Sequence, residues 1–140
     1  MKKSKNWRII VDANGWISSL LSLDFRIRIG VVFDAEYRVI TSERLFGELE
    51  NAIRKPHLEK RIDRTNYEQL ISLLRRNTEI VDVHSTVDVC RDPKDNYLLA
   101  LAKDGNADYL ITGDGDLRVL KVFGKTKIVS IKDFEVIARQ

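Results

Sequence analysis

Short apolar runs alternate with amphipathic segments along the whole chain, and this alternation most constrains its fold. Five runs have the length and composition of buried strands. The predicted strands are residues 8–11, 38–41, 79–81, 109–112 and 127–129. Strands that alternate with helices form a parallel sheet with helices on both faces. We therefore predict one α/β domain over residues 1–140, a three-layer α/β/α unit on a mainly parallel, five-stranded sheet.

Helical spacing and capping residues predict the segments between these strands. Ser42 is expected to cap a helix that Pro56 ends, and Asp92, followed by Pro93, is expected to cap one that Gly105 ends. The other predicted helices are residues 15–21, 24–35, 64–77 and 131–139. Asp116 is expected to cap a short helix over residues 117–120.

Composition excludes several classes of protein. Hydrophobic residues make up 44% of the 140 residues and charged residues 32%, which is typical of a globular domain. No apolar run approaches the roughly 20 residues that span a bilayer, and the basic residues 1–6 precede a short strand rather than a signal-peptide core. We expect no membrane partner and a cytoplasmic location. Cys90 is the single cysteine, so it cannot form an internal disulfide or a thiolate metal site, and we expect it to be buried or half-buried without a chemical role.

Four carboxylates fall where this fold would bring them together. Asp12 ends the first strand, Asp114 follows the fourth, Asp95 lies in the first turn of a helix, and Glu48 lies two turns into another. Ligand crevices of such sheets lie at the strand carboxyl ends, where the strand order reverses. Clustered carboxylates repel one another unless a cation joins them, and an oxygen-only set favours Mg²⁺ or Mn²⁺. Such a cation can activate water and neutralise phosphate charge, so the pattern indicates a metal-dependent nuclease.

Each acid also has a plain structural interpretation. Asp12 and Asp114 could belong to turns, Asp95 to a helix end, and Glu48 to a solvated helix face. Asp92 is expected to be a cap, and Asp116 has a weaker second role as a ligand.

Asn14 and Thr112 could support the acids, or could instead satisfy turn backbone.

Four ordered segments resemble PIN domains. These are Ile10-Val11-Asp12-Ala13-Asn14, the helix that carries Glu48-Leu49, Arg91 to Asn96 with the apolar helix after it, and Thr112-Gly113-Asp114-Gly115-Asp116. The resemblance spans about residues 7–137. It implies a PIN-like fold and an Mg²⁺- or Mn²⁺-dependent ribonuclease with Asp12, Glu48, Asp95 and Asp114 as its acids and Asp116 as an additional one. It also implies an RNA substrate and, for a chain of this size, a toxin that an antitoxin silences and that forms homodimers.

The chain departs from the family pattern at three places. Ala13 stands where Thr is usual, Gly15-Trp16 replaces a more aliphatic helix start, and Asn96 stands where a second acid is frequent. None of these changes removes a core acid. Two other classes stay open: a non-catalytic PIN-like module that binds RNA or protein, and a phosphoryl-transfer domain with Asp12 or Asp114 as phosphoacceptor.

Several residues are candidates for contacts outside the acids. Basic side chains that could meet RNA phosphates are Arg26, Arg28, Arg44, Lys55 and Arg118, on a chain of net charge +3. Trp16 could stack on a base, although core packing is the preferred interpretation. Val32, Phe33 and Phe46 could form a dimer or antitoxin surface, and core packing explains them equally well.

Overall fold

A six-stranded sheet runs through the centre of the computed structural model, which describes residues 5–140. Its strands are β1 (Trp7–Val11), β2 (Tyr37–Thr41), β3 (Glu79–Ile80), β4 (Tyr109–Ile111), β5 (Val122–Phe123) and β6 (Thr126–Val129), in the spatial order β3-β2-β1-β4-β6-β5. Every pairing is parallel except that of β5 with β6. The prediction of a mainly parallel sheet is confirmed.

The sheet has one strand more than predicted. β5 is two residues long and pairs with β6 across a tight turn at Gly124, whose φ of 58° favours glycine. A strand this short has no periodicity of its own. Its pairing depends on the turn, so the apolar pattern did not indicate it.

Helices cover the segments between the strands. They are α1 (Ala13–Leu21), α2 (Leu23–Ile29), α3 (Glu43–Ile53), α4 (Pro56–Glu59), α5 (Arg64–Asn77), α6 (Asn96–Asp104), α7 (Gly115–Arg118) and α8 (Ile131–Ala138). The predicted helix over residues 24–35 is α2 followed by a 3-10 turn at Gly30–Phe33. Pro56 begins α4 rather than ending α3, because proline fits the first turn of a helix.

The buried side chains form two clusters, one on each face of the sheet. Ile9 and Val11 of β1 point into one cluster with Leu74 of α5 and Phe134 of α8. Ile10, between them in β1, points into the other with Leu99 of α6. Alternation along a strand sends neighbouring side chains to opposite faces, so two cores confirm the three-layer arrangement.

Four predicted surface candidates have different outcomes. Trp16 is 1% exposed and packs against Phe33, so the core interpretation is confirmed and base stacking is wrong. Val32 and Phe46 are also buried and cannot form a docking surface, whereas Phe33 is 37% exposed.

Among residues 5–140, none of the helices combines the length and apolar character that crossing a membrane requires. Residues 1–4 of the basic amino-terminal segment lie outside the described residues.

The strand order reverses at β1. The chain passes from β1 to β2 and β3 on one side, and then returns to place β4 on the other side of β1. The carboxyl ends of β1 and β4 therefore flank the reversal point, with Val11 opposite Ile111. Crevices form at this place in open α/β sheets.

Candidate active site

An acidic cleft of about 220 Å³ opens at the carboxyl ends of β1 and β4. All four acids predicted to converge line it: Asp12, Glu48, Asp95 and Asp114. The strand order accounts for this, because Asp12 and Asp114 follow neighbouring parallel strands, and α3 and α6 bring Glu48 and Asp95 to the same edge. Asn14 lines the cleft as well.

Asp12 lies at the base of the cleft and is 5% exposed. It caps α1, since Oδ1 accepts a hydrogen bond from the Gly15 backbone N–H at 2.7 Å. Burial raises the pKa of Asp12 above its ordinary value, and the Asp114 charge raises it further. The hydrogen bonds from Thr112 and Gly15 oppose that shift. The charged form of a carboxylate in this setting is stabilised when a cation comes close.

Thr112 connects the first and fourth acids. Its hydroxyl donates to Asp12 Oδ2 and accepts the Asp114 backbone N–H at 3.0 Å. The hydroxyl is buried and uses both of its hydrogen-bonding functions in this way. The expected support of the acids by Thr112 therefore has a definite geometry.

Asp114, not Asp116, caps the short helix α7. Asp114 Oδ1 accepts the Asp116 backbone N–H at 2.8 Å, and α7 begins one residue after Asp114. Asp116 lies in the first turn, outside the acidic cleft, with its carboxylate 3.6 Å from Arg91. The predicted cap over residues 117–120 was two residues too late, because an aspartate in the first turn and an aspartate cap look alike in sequence.

Asp95 ends a 3-10 turn, Pro93–Asp95, that Asp92 caps as predicted by accepting the Lys94 N–H. Its Oδ2 is buried and has no hydrogen-bond partner within residues 5–140. Burial raises the pKa of Asp95 to about 7. A hydrogen bond that its protonated carboxyl shares with Asp114, and the charges of Asp114, Asp92 and Asp12, add to the shift. In its charged form Asp95 therefore lies against the other acids with no donor at its buried oxygen.

Glu48 forms the opposite wall, on α3. Its Oε1 accepts from Arg44 Nε at 3.0 Å, and the Arg44 guanidinium lies 5.1 Å from the centre of the Tyr97 ring. Arg44 thus links the second acid to an aromatic side chain on α6. Of the predicted basic residues, Lys55 also lines the cleft. Arg26, Arg28 and Arg118 do not, and Arg28 lies near Asp24 and Glu135 instead.

Three lining residues with polar side chains escaped the sequence reasoning: Asn51, Lys94 and Tyr97. Asn51 lies three positions after Glu48, so helical spacing could have indicated it. Lys94 and Tyr97 flank Asp95 in the motif that resembles PIN domains. Sequence reasoning gave them no role, because nothing local distinguishes a lining position there.

A strap, residues 81–92, holds the Asp92–Asp95 segment against the domain. It has no regular secondary structure up to Cys90. The Val81 backbone N–H donates to the Thr41 carbonyl, and two side chains attach the rest of the strap. Asp104 accepts hydrogen bonds from the His84 and Ser85 backbone N–H groups and from the Ser85 hydroxyl. Asn96 Oδ1 accepts the Val89 and Cys90 N–H groups at 3.1 and 3.0 Å. The Asn96 side chain therefore holds the carboxyl-terminal part of the strap in place next to the segment that carries Asp95.

The cleft supplies the ligand type that a hard cation needs, but its side chains are not preset around one. Within residues 5–140, no three His, Cys, Asp or Glu side chains are arranged as a metal site. Asp12 and Glu48 direct oxygens at Thr112, Gly15 and Arg44. The Asp95 Oδ2 atom nevertheless has no donor, and the pKa values of Asp12 and Asp95 are raised. Both observations mean that the charged carboxylates are destabilised here, and a bound cation would stabilise them. Holding Mg²⁺ or Mn²⁺ would require rotation of some carboxylates.

Comparison with known proteins agrees with this architecture. The crystal structure of PAE2754 from Pyrobaculum aerophilum is similar, with a TM-score of 0.59 at 17% sequence identity, over 99% of this chain and 100% of that one. A search of curated proteins gives no significant match. The sequence profile of the PIN domain matches residues 8–116, which include all four cleft acids. PIN domains are typically nucleases, and this chain belongs to the PIN domain family.

Proposed function

We propose that the protein is a metal-dependent endoribonuclease that cleaves single-stranded RNA in the acidic cleft. The observation that carries the proposal is the gathering of four carboxylates from four separate segments, one of them with a buried oxygen that lacks a partner. Like charges that lie close together destabilise the folded state, so a cation that neutralises them would stabilise it strongly. Family membership supports nuclease chemistry in general, and RNA as the substrate is part of the proposal.

Asp12, Asp95 and Asp114 would hold Mg²⁺ or Mn²⁺, with Glu48 as the fourth acid. When bound, the cation supplies Lewis-acid activation of water and neutralises charge that builds on the phosphate. The chain's own residues orient the reactants. Thr112 fixes one oxygen of Asp12, and Arg44 fixes one of Glu48. Lys55 and Lys94, on the cleft wall, offer positive charge to the RNA phosphates.

A toxin role within a toxin–antitoxin module is the biological setting that we propose, with an antitoxin protein and a second copy of the chain as partners. It rests on the family and on the size of the domain. Such a toxin acts on cellular RNA, so we also propose a cytoplasmic location. Growth arrest on expression, relieved by a neighbouring gene, would test the toxin role.

One observation favours the second candidate, a non-catalytic module that binds RNA or protein. The carboxylates as they stand are engaged with Thr112, Gly15 and Arg44 rather than arranged around a cation. A module of this kind would bind RNA equally well with and without divalent metal. It would not cut the RNA.

The two candidates separate in one experiment. Purified protein, Asp12→Asn and the matched surface variant Asp24→Asn are incubated with labelled single-stranded RNA in Mn²⁺, Mg²⁺ or EDTA. Asp24 is an exposed carboxylate on α2, so its loss leaves the cleft unchanged. We expect cutting by wild type and Asp24→Asn in metal, and none by Asp12→Asn or in EDTA. Cutting that survives EDTA, or binding without any cutting, would reject the nuclease.

A further inference from the structure

A second cavity, of about 370 Å³, opens directly beside the acidic cleft. Asp12, Asn14 and Asp114 line both spaces, so these residues form a wall with one cavity on each side. We call the second space the base cavity. An RNA strand with a phosphate in the acidic cleft would therefore have a neighbouring group within reach of the base cavity.

The lining of the base cavity discriminates against phosphate. No Lys or Arg is among its lining residues, and the shared wall carries two carboxylates. Its remaining surface is largely apolar: Val11 and Ile111 form part of it, with the Phe25 ring and Ile131 alongside. A flat, uncharged group with apolar faces suits this space, whereas a phosphate would lose hydration without gaining a cation.

Polar groups in the base cavity are placed to contact the edge of such a group. The Ser130 hydroxyl accepts the Asp133 N–H at 3.0 Å, which leaves its own O–H free to donate. The Ser18 hydroxyl has no hydrogen-bond partner among residues 5–140. Thr112, by contrast, has both of its functions occupied. Two hydroxyls, those of Ser18 and Ser130, are therefore available among the lining residues of the base cavity.

We propose that the base cavity holds the nucleobase that flanks the phosphodiester in the acidic cleft, and that it makes the protein base-selective at that position. The inference rests on the proposed nuclease function. Its volume lies at the lower end of the range for small-ligand pockets, about 300–1,000 Å³, which suits one base rather than a larger ligand. Single-stranded RNA is recognised in this way, with base faces against aromatic or apolar side chains and base edges on hydrogen-bonding groups.

The first test measures binding without metal and without RNA. Each of the four neutral ribonucleosides is titrated into ¹⁵N-labelled protein in EDTA. We expect one or two of them to shift the amide signals of Gly15, Ser18 and Gly113, with dissociation constants on the order of 1–10 mM. Ser18→Leu fills the cavity and should abolish the shifts. Ser72→Leu, the same change at an exposed helical position of α5, should retain them.

A second variant covers the possibility that leucine disturbs α1. Ser18→Ala keeps the space and removes the hydroxyl, so binding should persist but discriminate less between nucleosides. Absence of shifts for all four nucleosides at about 10 mM, or shifts that survive Ser18→Leu, would overturn the proposal.

The cleavage pattern separates this inference from the proposed function. On a pool of random-sequence RNA with Mn²⁺, wild type and Ser72→Leu should share a base preference at one position beside the cut, and Ser18→Leu should lose it. An unchanged preference in Ser18→Leu would reject the base cavity and leave the nuclease standing. No cleavage by wild type, with nucleoside binding intact, would reject the nuclease and leave the cavity as a nucleoside-binding site.

Discussion

Thr112 donates a hydrogen bond from its buried hydroxyl to Asp12 Oδ2, across the junction of β4 and β1, at 2.5 Å. The two residues are a hundred positions apart in sequence, and the parallel pairing of Val11 with Ile111 brings them together. The contact fixes one oxygen of the first acid. It also opposes the rise in the pKa of Asp12 that burial causes.

Thr112→Val should therefore weaken metal binding out of proportion to its effect on folding. Removing a donor that orients a ligand typically costs about 10–100-fold in metal affinity. The free energy of unfolding should fall by about 1.5–3 kcal/mol, the range for hydrogen bonds to charged groups. Mn²⁺ titration calorimetry and urea unfolding measure the two quantities.

Thr126→Val is the matched control. Thr126 is equally buried, and its hydroxyl donates to the Ala107 carbonyl, away from the acids. This variant should lose stability and keep its Mn²⁺ affinity. Equal losses of affinity in both variants would show that Thr112 acts only through general stability.

Asp95→Asn should stabilise the metal-free protein in a pH-dependent way. The pKa of Asp95 is raised from 3.8 to about 7 in the folded chain, mainly by burial and by Asp114, so folding takes up a proton between these values. The wild type then loses stability as the pH rises from about 4 to about 7, and asparagine has no charge to lose. Thermal unfolding in EDTA should show an advantage for Asp95→Asn that grows over this range and stays constant at higher pH.

Metal should reverse the order of the two proteins. Saturating Mn²⁺ at pH 8 stabilises a folded state that binds it, so the melting temperature of the wild type should rise more than that of Asp95→Asn. An advantage of the variant that is independent of pH would contradict the assignment of the raised pKa to Asp95.

The sequence indicates the core of this fold because most of it is carried by local patterns. Five short apolar runs, which alternate with helical segments along most of the chain, indicate the parallel sheet, and the acids Asp12 and Asp114 follow two of them. Strand order places Asp12 and Asp114 together, and the helices that follow bring Glu48 and Asp95 to the same edge of the sheet. This prediction required no knowledge of any single contact.

The features that sequence did not indicate are those that depend on tertiary contacts. β5 exists only because a turn returns it to β6. The cap of α7 is a local feature that was missed for another reason, because Asp114 and Asp116 are equally plausible caps in the sequence. The attachment of the strap by Asp104 spans about twenty residues without a repeating pattern. The burial of Val32 and Phe46 depends likewise on which faces of their elements meet the sheet.

Asn96→Ala should release the carboxyl end of the strap. It removes the acceptor of the Val89 and Cys90 N–H groups, at a cost of about 1–3 kcal/mol in unfolding free energy. Burial, together with nearby carboxylates, raises the pKa of the Cys90 thiol to about 11, so its reaction with a disulfide reagent at pH 8 should be slow in the wild type. The variant should react several-fold faster, as measured by the rate of thiolate release. Asn66→Ala, at an exposed position in α5, should react at the wild-type rate.

Gly15→Ala should disable the acidic cleft through the backbone of α1. A Cβ at position 15 would lie 2.6 Å from Val11 Cγ1 and 3.0 Å from Asp12 Oδ1, so Val11 would have to shift and the Asp12 carboxylate would have to give by a few tenths of an ångström. We expect the free energy of unfolding to fall by about 1–3 kcal/mol, as for other overpacked sites, and Mn²⁺ to stabilise the variant much less than the wild type.

Gly47→Ala is the control, because nothing lies within 4 Å of a Cβ built at this position, which lies inside α3. That change should stabilise the protein by about 0.5–1 kcal/mol and leave metal binding intact. Normal Mn²⁺ stabilisation of Gly15→Ala would mean that the position of Asp12 against α1 is not needed to hold the cation.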